Sequence, residues 1–439
     1  MRDIGVTNSQ YYYICSGEKS ATASYIYTLD RAVDADILRE AVRHMVKRYH
    51  YFRLKPFVDE NGGLFFEDNE AEPEVYPDDG TVLHLGTDET NGYMFRVLYK
   101  DNYIRVMAFH GMADGRGINA FGLSIVYEYL TLCGIAIDSE GMITTLKTPV
   151  DETELDDFVK RCGKVAKTVG EPSGKYEPHD IFVTPEERTH FGTTKSRKVK
   201  VSWKVQELLK LCHELGGTPV TVMTAVLGMA MHRIYDMGDA VMTPNVPVDL
   251  RPLLKSNAQS NFTTNVPLAY PPEYAALPLD EQVARLKEML KIQTRPENLL
   301  TGMGPFERFL SEVMQAPLHD KKALDELHAA MAEGSKASTT LLLTNVGVFK
   351  LPKDMQPYVL DYDGIAPNLE YSPVYALMSM GDTGRLLICQ NYDSLALPEE
   401  ICKVLGEHGV KAEVEDCGLI WCDAVEPYLF ARKNGTLGS

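Results

Sequence analysis

A histidine followed four residues later by Asp-Gly is the feature of this sequence best suited to chemistry. His110, Asp114 and Gly115 form the pattern HxxxDG. An imidazole has a pKa near neutrality and can take a proton from a reacting group at little cost. The carboxylate could face the solvent, chelate a metal or hold the turn together. Because Asp114 stands between Ala113 and Gly115, it is badly placed to reach a substrate, so we favour a structural ion pair with Arg251.

A strand and a helix are predicted to position His110. The side chains of residues 103–109 follow a period of two that places them alternately on two faces, which predicts a strand that ends on the histidine. The residues expected to share one face are Ile104, Val106 and Ala108. Glycines interrupt the segment that follows, and apolar residues at three-and-four spacing predict a helix from about Asn119. His110 is therefore expected at the junction of a strand and a loop.

The composition is that of a soluble globular protein of two domains. The chain has 439 residues, with 44% hydrophobic and 24% charged residues. A formal net charge of -18 argues against nucleic acid or an anionic membrane as the main partner. The N-terminus has no apolar signal core, and the longest mainly apolar run, 220–231, is too short to span a bilayer. We expect a cytoplasmic protein with reduced cysteines, since none has CxxC spacing.

The two halves of the chain follow a similar order of elements. Residues 384–393 again predict a strand that runs into a polar turn, followed by a helix at about 398–408, but the histidine is missing there. A polar, proline-containing stretch separates the halves. We therefore predict one lobe at 1–170, a linker at 171–194 and a second lobe at 195–439, with a single active site in the first lobe.

A dense basic run at 195–200 is a weak candidate for binding phosphate groups. Lys198 and Lys200 would share one face of a strand and could contact an anionic cofactor, but a solvated strand edge is the favoured interpretation. The histidines other than His110 show no metal-ligand spacing, and no metal site is predicted.

Three segments together resemble the chloramphenicol acetyltransferase-like superfamily. They are the HxxxDG pattern at 110–115, the segment 246–252 that contains Arg251, and the segment 341–347 that contains Thr344 and Asn345. The superfamily includes condensation domains of nonribosomal peptide synthetases and stand-alone alcohol O-acyltransferases. The resemblance covers essentially the whole chain, in the same motif order. It implies an α/β fold of layered α+β type, with two lobes in a V-shaped pseudo-dimer around a central tunnel.

The resemblance also implies a role for each of these residues. His110 would be the general base for direct transfer of an acyl group from a thioester to a hydroxyl or amine. Asp114 would support the turn through its ion pair with Arg251, and Gly115 would leave room for the pantetheine arm of the acyl donor. Thr344 or Asn345 could donate a hydrogen bond to the oxyanion. The site residues expected from the sequence and the resemblance together are His110, Asp114, Gly115, Arg251, Thr344 and Asn345.

One departure from the condensation-domain pattern favours a stand-alone acyltransferase. Condensation domains usually carry two adjacent histidines, and the first is Phe109 here. We expect acyl-CoA or a phosphopantetheine thioester as co-substrate, no permanently bound cofactor, a small-molecule acceptor and a monomer. An acyl carrier protein is a further candidate partner. The alternatives are a non-catalytic condensation-like binding module and a condensation domain that acts in trans in nonribosomal peptide synthesis.

Overall fold

The computed structural model describes residues 4–14, 21–185, 195–300, 312–335, 339–365 and 373–431. The described helices are α1 Val6–Ile14, α2 Ala35–Arg48, α3 Gly115–Leu132, α4 Phe158–Ala166, α5 Val205–Glu214, α6 Pro219–Ile234, α7 Arg251–Leu254, α8 Leu279–Gln293, α9 Pro296–Leu300, α10 Lys321–Ser335 and α11 Ala396–Glu407. The described strands are β1 Thr22–Leu29, β2 Leu54–Val58, β3 Leu64–Asp68, β4 Val75–Pro77, β5 Phe95–Lys100, β6 Tyr103–Phe109, β7 Lys195–Lys204, β8 Pro244–Asp249, β9 Thr263–Pro267, β10 Leu341–Val348, β11 Val359–Ile365, β12 Val374–Met380, β13 Thr383–Gln390 and β14 Ala412–Trp421.

The first lobe is a five-stranded sheet with the order β11-β1-β6-β5-β4, covered by helices. Helices α2 and α3 pack on it through apolar faces that join its core. Asp34 starts α2, because its side chain accepts hydrogen bonds from the Asp36 and Ile37 amides. The mixed α/β architecture predicted from the sequence is confirmed in this lobe.

Strand β6 lies between β1 and β5 and carries the alternation seen in the sequence. Ile104, Val106 and Ala108 belong to the core of the first lobe. On the opposite face, Arg105 is buried and donates a hydrogen bond of 2.7 Å to the carbonyl of Trp421. The strand is therefore covered on both faces, and its end at Phe109 is held firmly.

Helix α3 begins at Gly115, earlier than the predicted Asn119. The physical reason is a cap: the Asp114 side chain accepts a hydrogen bond from the Gly117 amide, which satisfies a free N–H of the first turn. Of the glycines that interrupt the strand pattern, Gly115 and Gly117 therefore lie in the first turn of the helix, and Gly111 lies in the loop before it. His110 is followed by a short loop of four residues and then by this helix start.

The second lobe is a seven-stranded sheet with the order β14-β7-β13-β12-β10-β8-β9 and its own hydrophobic core. Strand β7, which carries the basic run, pairs with both β13 and β14. The expectation that this run forms a sheet edge is therefore wrong. The strand and the helix predicted at 384–393 and 398–408 are present as β13 and α11.

Parts of the chain that follow residue 195 belong to the first lobe by their contacts. Strand β11 pairs with β1, so that Tyr362 lies opposite Tyr27. Near the C-terminus, Asp423 forms a buried ion pair of 2.8 Å with Arg96. Membership of a lobe therefore does not follow position along the chain. Of the helices in the described ranges, none combines the length and apolar composition needed to cross a membrane.

Candidate active site

Asp114 is a buried carboxylate whose two oxygens are both occupied by protein groups. Its Oδ1 accepts hydrogen bonds from the Gly117 amide and from Arg251 Nη2, each at 3.0 Å. Its Oδ2 accepts from the Phe262 amide at 3.0 Å and lies 2.9 Å from Arg251 Nη1. A carboxylate held in this way fixes the start of α3, and its oxygens are not available to bind a substrate.

Arg251 brings the second lobe to this carboxylate, and the ion pair expected between the two residues is present. Its Nε donates to the Ala258 carbonyl at 2.7 Å, and its Nη2 donates to the Ser260 carbonyl at 2.6 Å. Burial, the largest influence, lowers the pKa of the guanidinium, but the Asp114 and Asp249 carboxylates outweigh it and raise the pKa above its usual value. Arg251 therefore stays charged and holds loop 256–262 against the start of α3.

The first turn of α3 approaches neighbouring groups so closely that two glycines are required. A β-carbon on Gly117 would lie 2.1 Å from the carbonyl oxygen of Gln259, in the loop from the second lobe. A β-carbon on Gly115 would lie 2.7 Å from the hydroxyl of Tyr25. The space beside Gly115 is thus filled by Tyr25, which gives a reason for this glycine that the resemblance did not imply.

His110 lies at the end of β6 with its backbone fixed on both sides. Its amide donates to the Ala21 carbonyl at 2.6 Å, and its carbonyl accepts from Asn261 Nδ2 at 2.6 Å. The ring stacks on Tyr11 of α1, with centroids 4.9 Å apart and an angle of 26° between planes. The residue is partly exposed, while its Nδ1 atom is buried. One edge of the imidazole therefore faces the protein interior.

The environment of His110 favours the neutral imidazole. Burial is the main influence and lowers the pKa below its usual value. The charge of Asp114, the His110 backbone and the Asn261 side chain oppose this shift without cancelling it. At neutral pH the ring is consequently uncharged and able to accept a proton.

Thr344 and Asn345 lie on β10 of the second lobe, beside β12. Asn345 is exposed, and its Oδ1 accepts a hydrogen bond of 3.1 Å from the Gly347 amide at an irregularity in the strand. Within the described residues no hydrogen bond joins either side chain to His110. The structure therefore brings together His110, Asp114, Gly115 and Arg251, but makes no direct link from them to Thr344 or Asn345.

The chain resembles solved structures over nearly its whole length. Polyketide synthase associated protein 5 from Mycobacterium tuberculosis matches with a TM-score of 0.56 and 14% identity, covering 93% of this chain and 99% of that one. TRI101 of F. sporotrichioides, solved in complex with coenzyme A and T-2, matches with a TM-score of 0.56 and 10% identity, covering 93% and 98%. A variant of the starter condensation domain of rhizomide synthetase RzmA, in complex with C8-CoA, matches with a TM-score of 0.55 and 13% identity, covering 90% of each chain.

The chain has the chloramphenicol acetyltransferase-like fold. The identification made from the three sequence segments is thus confirmed at the level of the fold. No protein-family model and no curated protein matches the sequence. At identities this low, the similarity establishes the architecture, and the role of each residue has to be argued from the site itself.

In this chloramphenicol acetyltransferase-like fold the two candidate phosphate-binding lysines already have carboxylate partners. Lys198 is buried and pairs with Asp363 of β11, which belongs to the sheet of the first lobe. Lys200 pairs with Glu415 of the neighbouring strand β14 at 2.5 Å. Lys198 therefore ties the two lobes together. In the described part of the chain, no cluster of three or more His, Cys, Asp or Glu side chains could hold a metal ion.

The residues that sequence reasoning missed lie on segments that only the fold brings to His110. Asn261 lies on the loop that follows α7, the helix that begins at Arg251, and Tyr11 and Asn8 lie on the first helix. None of them belongs to a recognisable motif or to a periodic pattern that points at a histidine. The one available signal was the position of Asn261 close after Arg251, since the segment that follows an ion-pair partner of Asp114 is expected to pass near His110.

Proposed function

We propose that this protein transfers an acyl group from a thioester of coenzyme A, or of a carrier-bound phosphopantetheine, to a hydroxyl or amine acceptor. The observation that carries the proposal is His110, a neutral, partly exposed imidazole whose backbone is fixed at the end of β6 and accepts a hydrogen bond from the second lobe. The likeness to proteins solved with coenzyme A and with C8-CoA supports the choice of acyl donor.

In the proposed reaction His110 acts as the general base. As the acceptor oxygen or nitrogen attacks the thioester carbonyl carbon, His110 takes the proton from the acceptor. The tetrahedral intermediate then collapses, the carbon–sulfur bond breaks, and the imidazolium returns the proton to the leaving thiolate. The step uses no acyl-enzyme nucleophile, and His110 ends in the neutral form in which it started.

Asp114 and Arg251 are assigned a supporting role in this scheme. Both carboxylate oxygens of Asp114 are bound by Arg251 and by backbone amides, so Asp114 holds the loop and Arg251 holds it from the second lobe. A fixed loop keeps the imidazole in one position relative to both substrates. Such positioning is a recognised contribution to the rate enhancement by enzymes.

Thr344 and Asn345 are proposed as donors to the oxyanion of the tetrahedral intermediate. Asn345 uses its Oδ1 within its own strand, and among the described residues no hydrogen bond occupies its side-chain Nδ2. Such a donor would act by stabilising the charge that develops on the carbonyl oxygen. Contact of Lys198 and Lys200 with the phosphates of coenzyme A would require their ion pairs to open, so these two lysines support the proposal least.

The reaction can be tested by incubating the purified protein with acyl-CoA thioesters of several chain lengths and a panel of alcohols and amines. Release of free thiol and the mass of the acylated acceptor would be measured together. Acceptor-dependent thiol release with the matching product supports the proposal. Hydrolysis without acceptor acylation contradicts it. Silence with every acyl-CoA but turnover of an acylated carrier protein would assign the donor to the carrier, and tight carrier binding without turnover would identify a binding module.

A further inference from the structure

Asn261 is a buried side chain whose orientation is set by its partners. Its Nδ2 donates to the carbonyl of His110 at 2.6 Å and to Oδ1 of Asn8 at 2.8 Å. Its backbone amide also donates to Asn8 Oδ1, at 3.0 Å. Reversing the amide group would place its oxygen against two acceptors, so the nitrogen must stand on this side and Oδ1 on the other.

Two buried atoms beside this contact lack hydrogen-bond partners among the described residues. They are Oδ1 of Asn261 and Nδ1 of His110. The oxygen can only accept a hydrogen bond, and the ring nitrogen can donate one if it carries the proton. An unmet buried polar atom costs free energy, and the two atoms are of complementary kind. Hydrogen bonds within catalytic sites are often poorly aligned before substrate binds and tighten in the complex.

We propose that Asn261 is a positioning residue that holds His110 in the tautomer with the proton on Nδ1, so that the lone pair of Nε2 faces the acceptor. This inference rests on the proposed function in one respect, the use of Nε2 as the base. One side chain would then fix both the backbone and the tautomer of His110. Asn8 completes the arrangement, because it holds the Asn261 amide in the required orientation.

The charged and titratable groups around the ring are consistent with this assignment. Within the described residues, the ring faces Asp114 at the start of α3, whose charge is balanced by Arg251 of the second lobe, and Tyr11 of α1 stacks on it. Asp114 cannot itself hold the Nδ1 proton in place, because Arg251 and two amides already occupy its oxygens. The side chain of Asn261 raises the pKa of His110 against the effect of burial.

The test is ¹⁵N NMR of the histidine rings, which reports tautomer and pKa without any need for turnover. The His110 signals would be assigned by their absence in the variant His110→Ala. In the wild type we expect the neutral ring with its proton on Nδ1. In Asn261→Ala we expect a mixture of tautomers and a lower pKa of the His110 ring. In the acyl-transfer reaction, kcat of this variant should be about tenfold lower at unchanged KM, because roughly one hydrogen bond is lost.

Two further variants separate this effect from a general loss of structure. Asn257→Ala changes an exposed asparagine of the same loop that bonds Asp151, and should leave tautomer, pKa and kcat as in the wild type. Asn8→Ala removes the group that orients Asn261 without touching His110, and should shift the tautomer in the same direction as Asn261→Ala. Asn261→Asp should move the acid limb of the pH profile to higher pH, because a carboxylate beside the ring favours its protonated form.

The outcomes distinguish this inference from the proposed function. A wild-type tautomer and pKa in Asn261→Ala, with the fold intact by circular dichroism, would overturn the positioning role. So would equal changes in Asn257→Ala. If the tautomer shifts as expected in a protein that acylates no acceptor, the positioning role stands and the proposed reaction fails.

Discussion

The hydroxyl of Tyr25 lies so close to Gly115 that a β-carbon on this glycine would be only 2.7 Å from it. Tyr25 belongs to β1 and stacks on Tyr362 of β11, with centroids 5.5 Å apart. The start of α3, immediately after loop 111–114, therefore packs against an aromatic pair formed by two strands from distant parts of the chain.

We predict that Gly115→Ala destabilises the protein by about 1–3 kcal/mol, the usual cost of overpacking a filled site. Tyr25→Phe removes the obstructing oxygen, so the double variant should recover most of this loss. Urea unfolding of the wild type, both single variants and the double variant measures the coupling. If Gly115 instead gives clearance to the acyl donor, Gly115→Ala will fold normally, raise the KM for the thioester and show no relief by Tyr25→Phe.

Asp114→Asn should destabilise the protein by about 3 kcal/mol, because it leaves the buried Arg251 without its main counter-charge. Asp249 still neighbours the guanidinium at 3.0 Å and keeps the loss from being larger. The matched control is Asp36→Asn. The side chain of Asp36 is 91% exposed, and its ion pair with Arg39 lies on the surface. Equal stability of the two variants in urea unfolding would show that the Asp114 pair does not hold the lobes.

His110 should make stability depend on pH in a defined direction. Burial lowers its pKa in the folded protein below that of the unfolded chain, about 6.5. The contribution to stability is therefore complete above about pH 6.5 and is lost as the pH falls through the folded-state pKa. His110→Gln should flatten the pH dependence of the free energy of unfolding below this value, whereas His213→Gln, at an exposed position of α5, should not. Parallel curves for the wild type and His110→Gln would contradict the assignment.

Local patterns predicted the elements around the site well. The alternation predicted for β6 is confirmed, because the two faces of this strand have different surroundings. The apolar face predicted for α2 is confirmed as well, because it packs on the sheet. The pairing of Asp114 with Arg251 came from the motif, since nothing local links two residues so far apart in sequence. The start of α3 was placed too late, because the cap by Asp114 outweighs the low helix propensity of the glycines.

Long-range pairing is what the sequence did not reveal. A strand such as β11 has the same local pattern whichever sheet it joins, so its pairing with β1 could not be predicted. The basic run of β7 predicts a strand at the edge of a sheet. The carboxylates that pair with its lysines, Asp363 and Glu415, come from distant segments, so the sequence did not indicate them. No residue near Asn261 in the sequence indicates that it contacts His110. Its proposed positioning role depends on the path of loop 256–262 from the second lobe to the first.

The most direct test of the account is the rate of acyl transfer by His110→Ala compared with His213→Ala. Loss of the general base should lower kcat by about 10²–10⁴-fold, while circular dichroism and thermal unfolding show that the fold is retained. His213→Ala, at the exposed position, should keep the wild-type rate. Wild-type turnover by His110→Ala would contradict the assignment of His110 as the catalytic base.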